Sequence, residues 1–431
     1  MKLLTHSLET PVNTSSLEGY NDGFFVDKFI TRQSKLEQLF RTFVVGLVCF
    51  QQPIFKNLHN SHLSRVYKGF GLPKPFVFSI NNQLTLKKLR VFKVLSASDR
   101  ITSLDFFRAL AILSTVIFHF NNFPFGELGV DLFFVLSGIL VGGILIKQFK
   151  ADNKISFTKF FLQRGFKIWP SYYFFILSGS VIAYFFYHNT NPELLIFPND
   201  MYRYLFFYQN YTGLPFHWIF DHVWSLCVEE HFYIILPIVF LIVQSFVPKE
   251  KKLKYLFAFI ILLIASGILF KPLSYLLLNS QDTSAGTHNR IDALAWGILL
   301  RLIVTYTKTK INMLPMLLCG LGIFACNLHL ALHSEFYSKL FLHSVTPFAF
   351  FLIILSLYET NFSKFKVLGF ISYYSYNWYL WHPIFVIFLT KHFTNTFSGT
   401  SVYLLTTFAV AMLATILIEE PFLKLRSKLI K

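Results

Sequence analysis

Ten stretches of this chain are apolar over roughly the length needed to cross the hydrocarbon of a bilayer as a helix, about 20 residues. They run approximately 104–120, 128–147, 171–187, 223–247, 255–270, 291–306, 312–330, 339–357, 369–390 and 401–419. In lipid, backbone N–H and C=O groups must be satisfied within the segment itself, so such runs fold as helices. The expected fold class is therefore all-α, a polytopic membrane helix bundle of about ten transmembrane helices. Composition agrees. Of 431 residues, 54% are hydrophobic and only 14% charged, where a soluble domain carries about 25% charge.

Residues 1–100 form an N-terminal extension of unknown fold and role. Within it "FVVGLVCF" (43–50) is too short to span, and "LKKLRVFK" (86–93) is basic and suited to anionic lipid. Its first 38 residues are polar and mixed, so no cleavable signal peptide is expected and the first spanning helix directs insertion. The transmembrane domain covers 101–422, and 423–431 is a basic tail.

Charge distribution fixes an expected topology. With the segment before Ile101 in the cytoplasm and sides alternating, the cytoplasmic loops and tail (148–170, 248–254, 307–311, 358–368, 424–431) hold 17 Lys and Arg. The opposite loops (121–127, 188–222, 271–290, 331–338, 391–400) hold 4. This is the bias of the positive-inside rule. It favours an even number of spans in the cytoplasmic membrane, with both ends of the domain cytoplasmic. The net charge of +17 comes with no basic block or nucleic-acid motif, so nucleic acid is not an expected partner. Cys227, Cys319 and Cys326 fall in apolar runs and read as buried thiols. His329 and His333 have i, i+4 spacing but no matching third ligand, so no metal site is expected.

Against this apolar background, ionisable groups inside spans are costly and mark functional positions. The first span reads "DFFRALAILSTVIFHF". Arg108 and His119 are eleven residues apart, about 20° past three full turns. They share one helix face, about 16 Å apart along the axis, with Asp105 near the same line. Asp131 in span two, Glu229 and Glu230 in span four, Arg290 and Asp292 in span six, and His382 in span nine fall at a level similar to His119. Each has a plainer reading: Asp105–Arg108 as an ion pair at the membrane edge, Asp131 as a cap, Arg290–Asp292 as interfacial groups, and His382 as the partner of a carbonyl freed by Pro383. Arg164 and Lys167, three apart in "FTKFFLQRGFKIWPSYY", read as a basic pair suited to phosphate in a cytoplasmic loop that ends at Pro170, or as part of the topology signal.

With these segments in view the chain resembles acyltransferase family 3, a family of integral-membrane enzymes. "ITSLDFFRALAILSTVIFHF", "GELGVDLFFVLSGILVGGIL", "FFLQRGFKIWPSYY", "VWSLCVEEHFY", "HNRIDALAWGILL" and "SYNWYLWHP" occur in the family's order over about 101–420. An Arg, ten residues and a His form a family signature, here Arg108 and His119. An Arg-x-x-Arg motif tied to the acyl-CoA donor maps to Arg164 and Lys167, where Lys keeps the charge but loses the bidentate fork. The Glu-Glu-Gln-Phe-Tyr motif reads Glu229-Glu230-His231-Phe232-Tyr233, departing at the third position. Many relatives append a hydrolase-like domain after the last helix. None is expected here, the extra length lying at the N-terminus.

The resemblance implies an O-acyltransferase that takes an acyl group, most often acetyl, from cytoplasmic acyl-CoA to a hydroxyl of a surface carbohydrate or glycolipid. No bound cofactor is implied; acyl-CoA is a cosubstrate. His119 would be the general base, with Asp131 or Glu230 fixing its tautomer and Arg290 or backbone N–H groups holding the oxyanion. A covalent acyl-histidine is an open variant. The rival class is a proton-coupled transporter or exporter, which uses intramembrane His, Asp and Glu in relays.

Overall fold

The computed structural model describes residues 100–430 apart from 152–153, 188–194, 197, 212–218, 279–284, 308–312 and 391–395. The runs 43–50 and 86–93 lie outside the described residues. What is described is helical: α1 (Thr102–Asn121), α2 (Leu128–Lys150), α3 (Phe157–Tyr187), α4 (Pro198–Leu205), α5 (Trp224–Phe246), α6 (Lys252–Leu278), α7 (Thr287–Tyr306), α8 (Met313–His333), α9 (Glu335–Leu340), α10 (Leu342–Leu357), α11 (Lys366–Thr390), α12 (Phe397–Ala414) and α13 (Glu420–Leu429). A five-residue π-helical turn, Thr415–Glu419, joins α12 to α13. Each expected span holds one helix.

Among the described residues, seven segments are long and apolar enough to cross a membrane: α1, α2, α3, α5, α6, α8 and the rod from α12 to α13. The apolar helix α10 has 16 residues. α7 and α11 are too polar to face lipid, and the reason is their place in the bundle. Arg290 and Asp292 of α7, and Asn377 and His382 of α11, are buried against neighbouring helices. α8 is the opposite case, with Leu314, Leu318 and Leu321 exposed along it. Cys319 and Cys326 are exposed there too, and only Cys227 is the buried thiol expected. A helix in lipid is apolar on its outer face as well as its inner one, so hydrophobicity alone does not predict burial.

A second correction concerns the basic pair. Residues 157–170 are not loop; they are the first half of α3, which continues through Pro170. At 31 residues the helix is about 46 Å long, more than the ~30 Å of hydrocarbon. Arg164 and Lys167 are therefore carried on a rigid element, in the N-terminal half of that helix.

α2 and α7 lie closest together. A Cβ at Gly138 would sit 2.0 Å from the Leu294 carbonyl oxygen, and one at Gly297 would sit 2.0 Å from that of Val135. Only glycine permits backbones to meet so closely, the small-residue contact common between membrane helices. Contacts advance in step along both helices. Asp131 meets Arg290, Gly138 meets Gly297, and Lys150 donates to the Thr305 carbonyl at 3.1 Å. The two helices are thus parallel, as the second and sixth of alternating spans must be. α1 and α11 also run parallel, with Asp105 beside Ser372 and Arg108 beside Ser375. At the far end of α1, Asn122 takes a left-handed conformation (φ 51°) and its N–H closes on the Phe118 carbonyl at 2.9 Å. That turn sends the chain straight back into α2.

Candidate active site

Arg108, Arg164 and Lys167 open onto one cavity of about 140 Å³ between α1, α2, α3, α5 and α11. Arg108 Nη2 lies 3.4 Å from Ser375 Oγ. The Arg164 guanidinium sits 5.7 Å over the Tyr233 ring. Lys167 is paired with Glu419, which also accepts from Asn377 Nδ2 at 2.8 Å. Glu229 lines the same cavity and accepts from the Tyr233 hydroxyl at 2.5 Å. Three cations against two carboxylates leave the site net positive, as an anionic ligand requires. A larger cavity of about 570 Å³ lies where α1 and α11 begin. It contains the Arg100–Asp105 ion pair, so its carboxylate is already held by a cation, and no histidine lines it.

The wall formed by Tyr379 leads from the basic cavity to a cluster of histidines. The Tyr379 hydroxyl is 2.7 Å from both Ser225 Oγ and the His222 carbonyl oxygen. Its ring is 5.1 Å from that of His222 and 5.9 Å from that of His382. His119 and His382 stand 4.9 Å apart, edge to face. His222 lies 5.5 Å from His382. Nδ1 of His119 is 2.9 Å from the Thr115 carbonyl oxygen. A carbonyl can only accept, so Nδ1 carries the hydrogen and Nε2 holds the lone pair of the neutral ring. The tautomer expected from an acid is thus fixed by the backbone one turn below.

The acids lie elsewhere. Asp131 contacts Arg290 Nη1 at 3.1 Å and His343 Nδ1 at 2.8 Å. Asp292 is 2.9 Å from Lys271 Nζ, which also donates to Ser344 Oγ at 2.7 Å. Arg290 is stacked 5.1 Å over Trp224 and 5.8 Å over Phe134. It stays outside the residues lining the cavity and is not placed as an oxyanion donor. Glu230 accepts from Trp169 Nε1 at 3.2 Å. Asp105 is held by Arg100 and by Ser372 Oγ, 2.8 Å away, rather than by Arg108. The set expected at one level is therefore three groups: a cation-lined cavity, a histidine cluster and a buried charge network.

Lys271, His343, Glu419 and His222 were not among the expected site residues. Lys271 and His343 had a sequence signal, since each is a lone ionisable group in an apolar run. Glu419 had one too, an acid just before Pro421 at the end of a span. Two of the four basic residues counted on the sparse side, Lys271 and Arg290, are in buried ion pairs. The charge bias between loops is sharper for it.

A bundle of membrane helices with this order of motifs belongs to acyltransferase family 3: residues 101–419 match the family described as "Acyltransferase domain". The chain is similar to the O-acetyltransferase OatA of Staphylococcus aureus (strain NCTC 8325 / PS 47), 26% identical over 75% of this chain and 57% of that protein. It is 32% identical to the putative peptidoglycan O-acetyltransferase YrhL of Bacillus subtilis (strain 168), over 50% of this chain and 35% of that protein. With the putative O-acetyltransferase SACOL0978 of S. aureus (strain COL) it shares 24% identity, over 79% and 60%. The chain thus spans less than two thirds of the length of each of these relatives. No solved structure matches.

Proposed function

We propose that the chain is a membrane-embedded O-acyltransferase that moves an acyl group, acetyl first among candidates, from acyl-CoA to a hydroxyl of a carbohydrate or lipid-linked glycan. The observation that carries this reading is the shared cavity of Arg108, Arg164 and Lys167, with the Tyr379 wall between it and His119 and His382. Phosphates of the donor fit the cations at α3, and the thioester arm is directed past Tyr379. His119 Nε2 takes the proton of the acceptor hydroxyl as its oxygen attacks the thioester carbonyl. The tetrahedral intermediate collapses with loss of the thiolate, which recovers the proton from His119. The word peptidoglycan in the name of the B. subtilis relative makes that polymer the first acceptor to try.

The purified protein should transfer label from acetyl-CoA to envelope glycans. Absence of turnover with every glycan fraction, together with solute flux across vesicles, would replace the enzyme by a transporter. Arg164→Ala should raise KM for acyl-CoA about tenfold or more with kcat little changed, because a remote phosphate contact contributes equally to ground and transition states. An unchanged KM would leave Arg164 as a topology signal only. Lys167→Ala is a poorer probe, since it strips Glu419 of its cation.

The reading places the basic end of the bundle in the cytoplasm. A reporter fused after Lys431 should then read cytoplasmic, and one inserted near Asn210 external. An external C-terminus would reverse the route assigned to the donor.

A further inference from the structure

Pro383 has no N–H to offer the carbonyl four residues back, which is that of Tyr379. His382 fills the gap, its Nδ1 lying 2.8 Å from the Tyr379 oxygen and 3.2 Å from that of Trp378. Nδ1 therefore bears hydrogen, and the lone pair of the neutral ring is on Nε2. His382 is fully buried and its Nε2 has no hydrogen-bond partner. An acceptor left so is costly, and its persistence asks what donor it meets.

The candidate is next to it. His119 has the same tautomer, and its ring centre is 4.9 Å away. An Nε2–H···Nε2 bond places two imidazole centres about 5 Å apart, a hydrogen bond of ~2.9 Å plus two ring radii; the rings meet edge to face without that bond, and a turn of the His119 ring forms it. Two neutral rings with Nε2 lone pairs have no such bond to form. A proton on His119 Nε2 supplies one. Among the described residues, no ion pair or hydrogen bond links either ring to a carboxylate.

Resting on the acyltransferase reading, we propose that His382 is the positioning residue for the catalytic base: its Nε2 accepts a hydrogen bond from His119 once His119 has taken the acceptor's proton. The hydroxyl O–H bond breaks and the His119 Nε2–H bond forms. The new N–H is held by His382 while the ester C–O bond forms. As the C–S bond breaks, the proton passes from His119 to the thiolate sulfur, and His119 returns to neutral. A second imidazole thus does here what a carboxylate does in a Ser-His-Asp triad, but on the working nitrogen rather than behind it.

The plainer alternative, that His382 only satisfies the Tyr379 carbonyl, makes an opposite prediction. Pro383→Ala restores a backbone N–H to that carbonyl and removes the structural need. Acetyl transfer is measured in matched membranes for wild type, His382→Asn, Pro383→Ala and the double variant. Asn keeps a donor near the Nδ1 position and lacks a basic nitrogen. His382→Asn should lose about 10- to 100-fold in kcat, the worth of one hydrogen bond to a charged group, with both KM values within about twofold. Pro383→Ala should stay near wild type, and the double variant should be as slow as His382→Asn. Recovery in the double variant, or a kcat for His382→Asn within about threefold of wild type, overturns the proposal. His119→Asn in the same series separates the layers: its retention of activity removes the underlying reading, whereas retention by His382→Asn alone removes only the positioning role.

Discussion

Replacing His119 by Asn should lower acyl transfer by about 10²–10⁴-fold, the usual worth of a general base, while the protein remains inserted and binds its donor. The choice of Asn follows from the geometry. His119 donates through Nδ1 to the Thr115 carbonyl, and an amide can take over that bond. What disappears is the Nε2 lone pair, the only part of the ring assigned to chemistry. Donor binding should survive because Arg108, Arg164 and Lys167 line a cavity that His119 does not reach. The check is transfer rate at equal expression in matched membranes, beside donor binding measured separately. Transfer within about tenfold of wild type would remove His119 from the role of base. Asp131→Asn is an informative companion. Its carboxylate serves Arg290 and His343, so its loss should appear first in protein stability and only through that in rate.

Lys271→Met should destabilise the folded bundle by about 3–5 kcal/mol, the range for removing one partner of a buried ion pair. Lys271 and Asp292 are both buried, 2.9 Å apart. The same ammonium donates to the His343 carbonyl at 3.1 Å and to Ser344 Oγ, so it ties α6, α7 and α10 together. Methionine fills similar volume but leaves the Asp292 carboxylate without its hydrogen-bonded cation. Adding Asp292→Asn should recover much of the loss, since the cost is that of a stranded charge rather than of a missing bond. Thermal unfolding of the three variants in one detergent measures this. A Lys271→Met variant as stable as wild type would show that the pair is replaceable outright.

The sequence makes some of this legible and hides the rest for physical reasons. Span positions follow from apolar length, and each expected span holds one long helix, while α4, α9 and α13 fall in the segments between or after them. Arg108, Arg164 and Lys167 stand out because a charge near lipid needs a reason, and all three line one cavity. Lateral neighbours are another matter. Depth along a helix can be counted in residues, but which helix stands beside which cannot. Asp131 and His119 fall at similar depth, yet Asp131 turns toward His343, 212 positions away in the chain. Pro170 suggested a boundary where α3 continues, since proline is tolerated in membrane helices whose neighbours satisfy the freed groups. His382 is the converse. The pairing expected from Pro383 is the contact observed, because a missing N–H four residues on is a purely local fact.

α2 and α7 are joined at two points. Gly138 meets Gly297, and Asp131 meets Arg290, each seven residues earlier on its own helix, or about 10 Å nearer the other end. Rods pinned once can swivel; pinned twice, they cannot scissor, and meshed backbones cannot slide. The pair is therefore a fixed plate in the machine, and Phe133, Phe134 and Ser137 are the face it turns to the cavity. With one side of the vise immobile, any adjustment to a ligand falls to the side opposite, α1, α3 and α11, which carries the cations and two of the histidines.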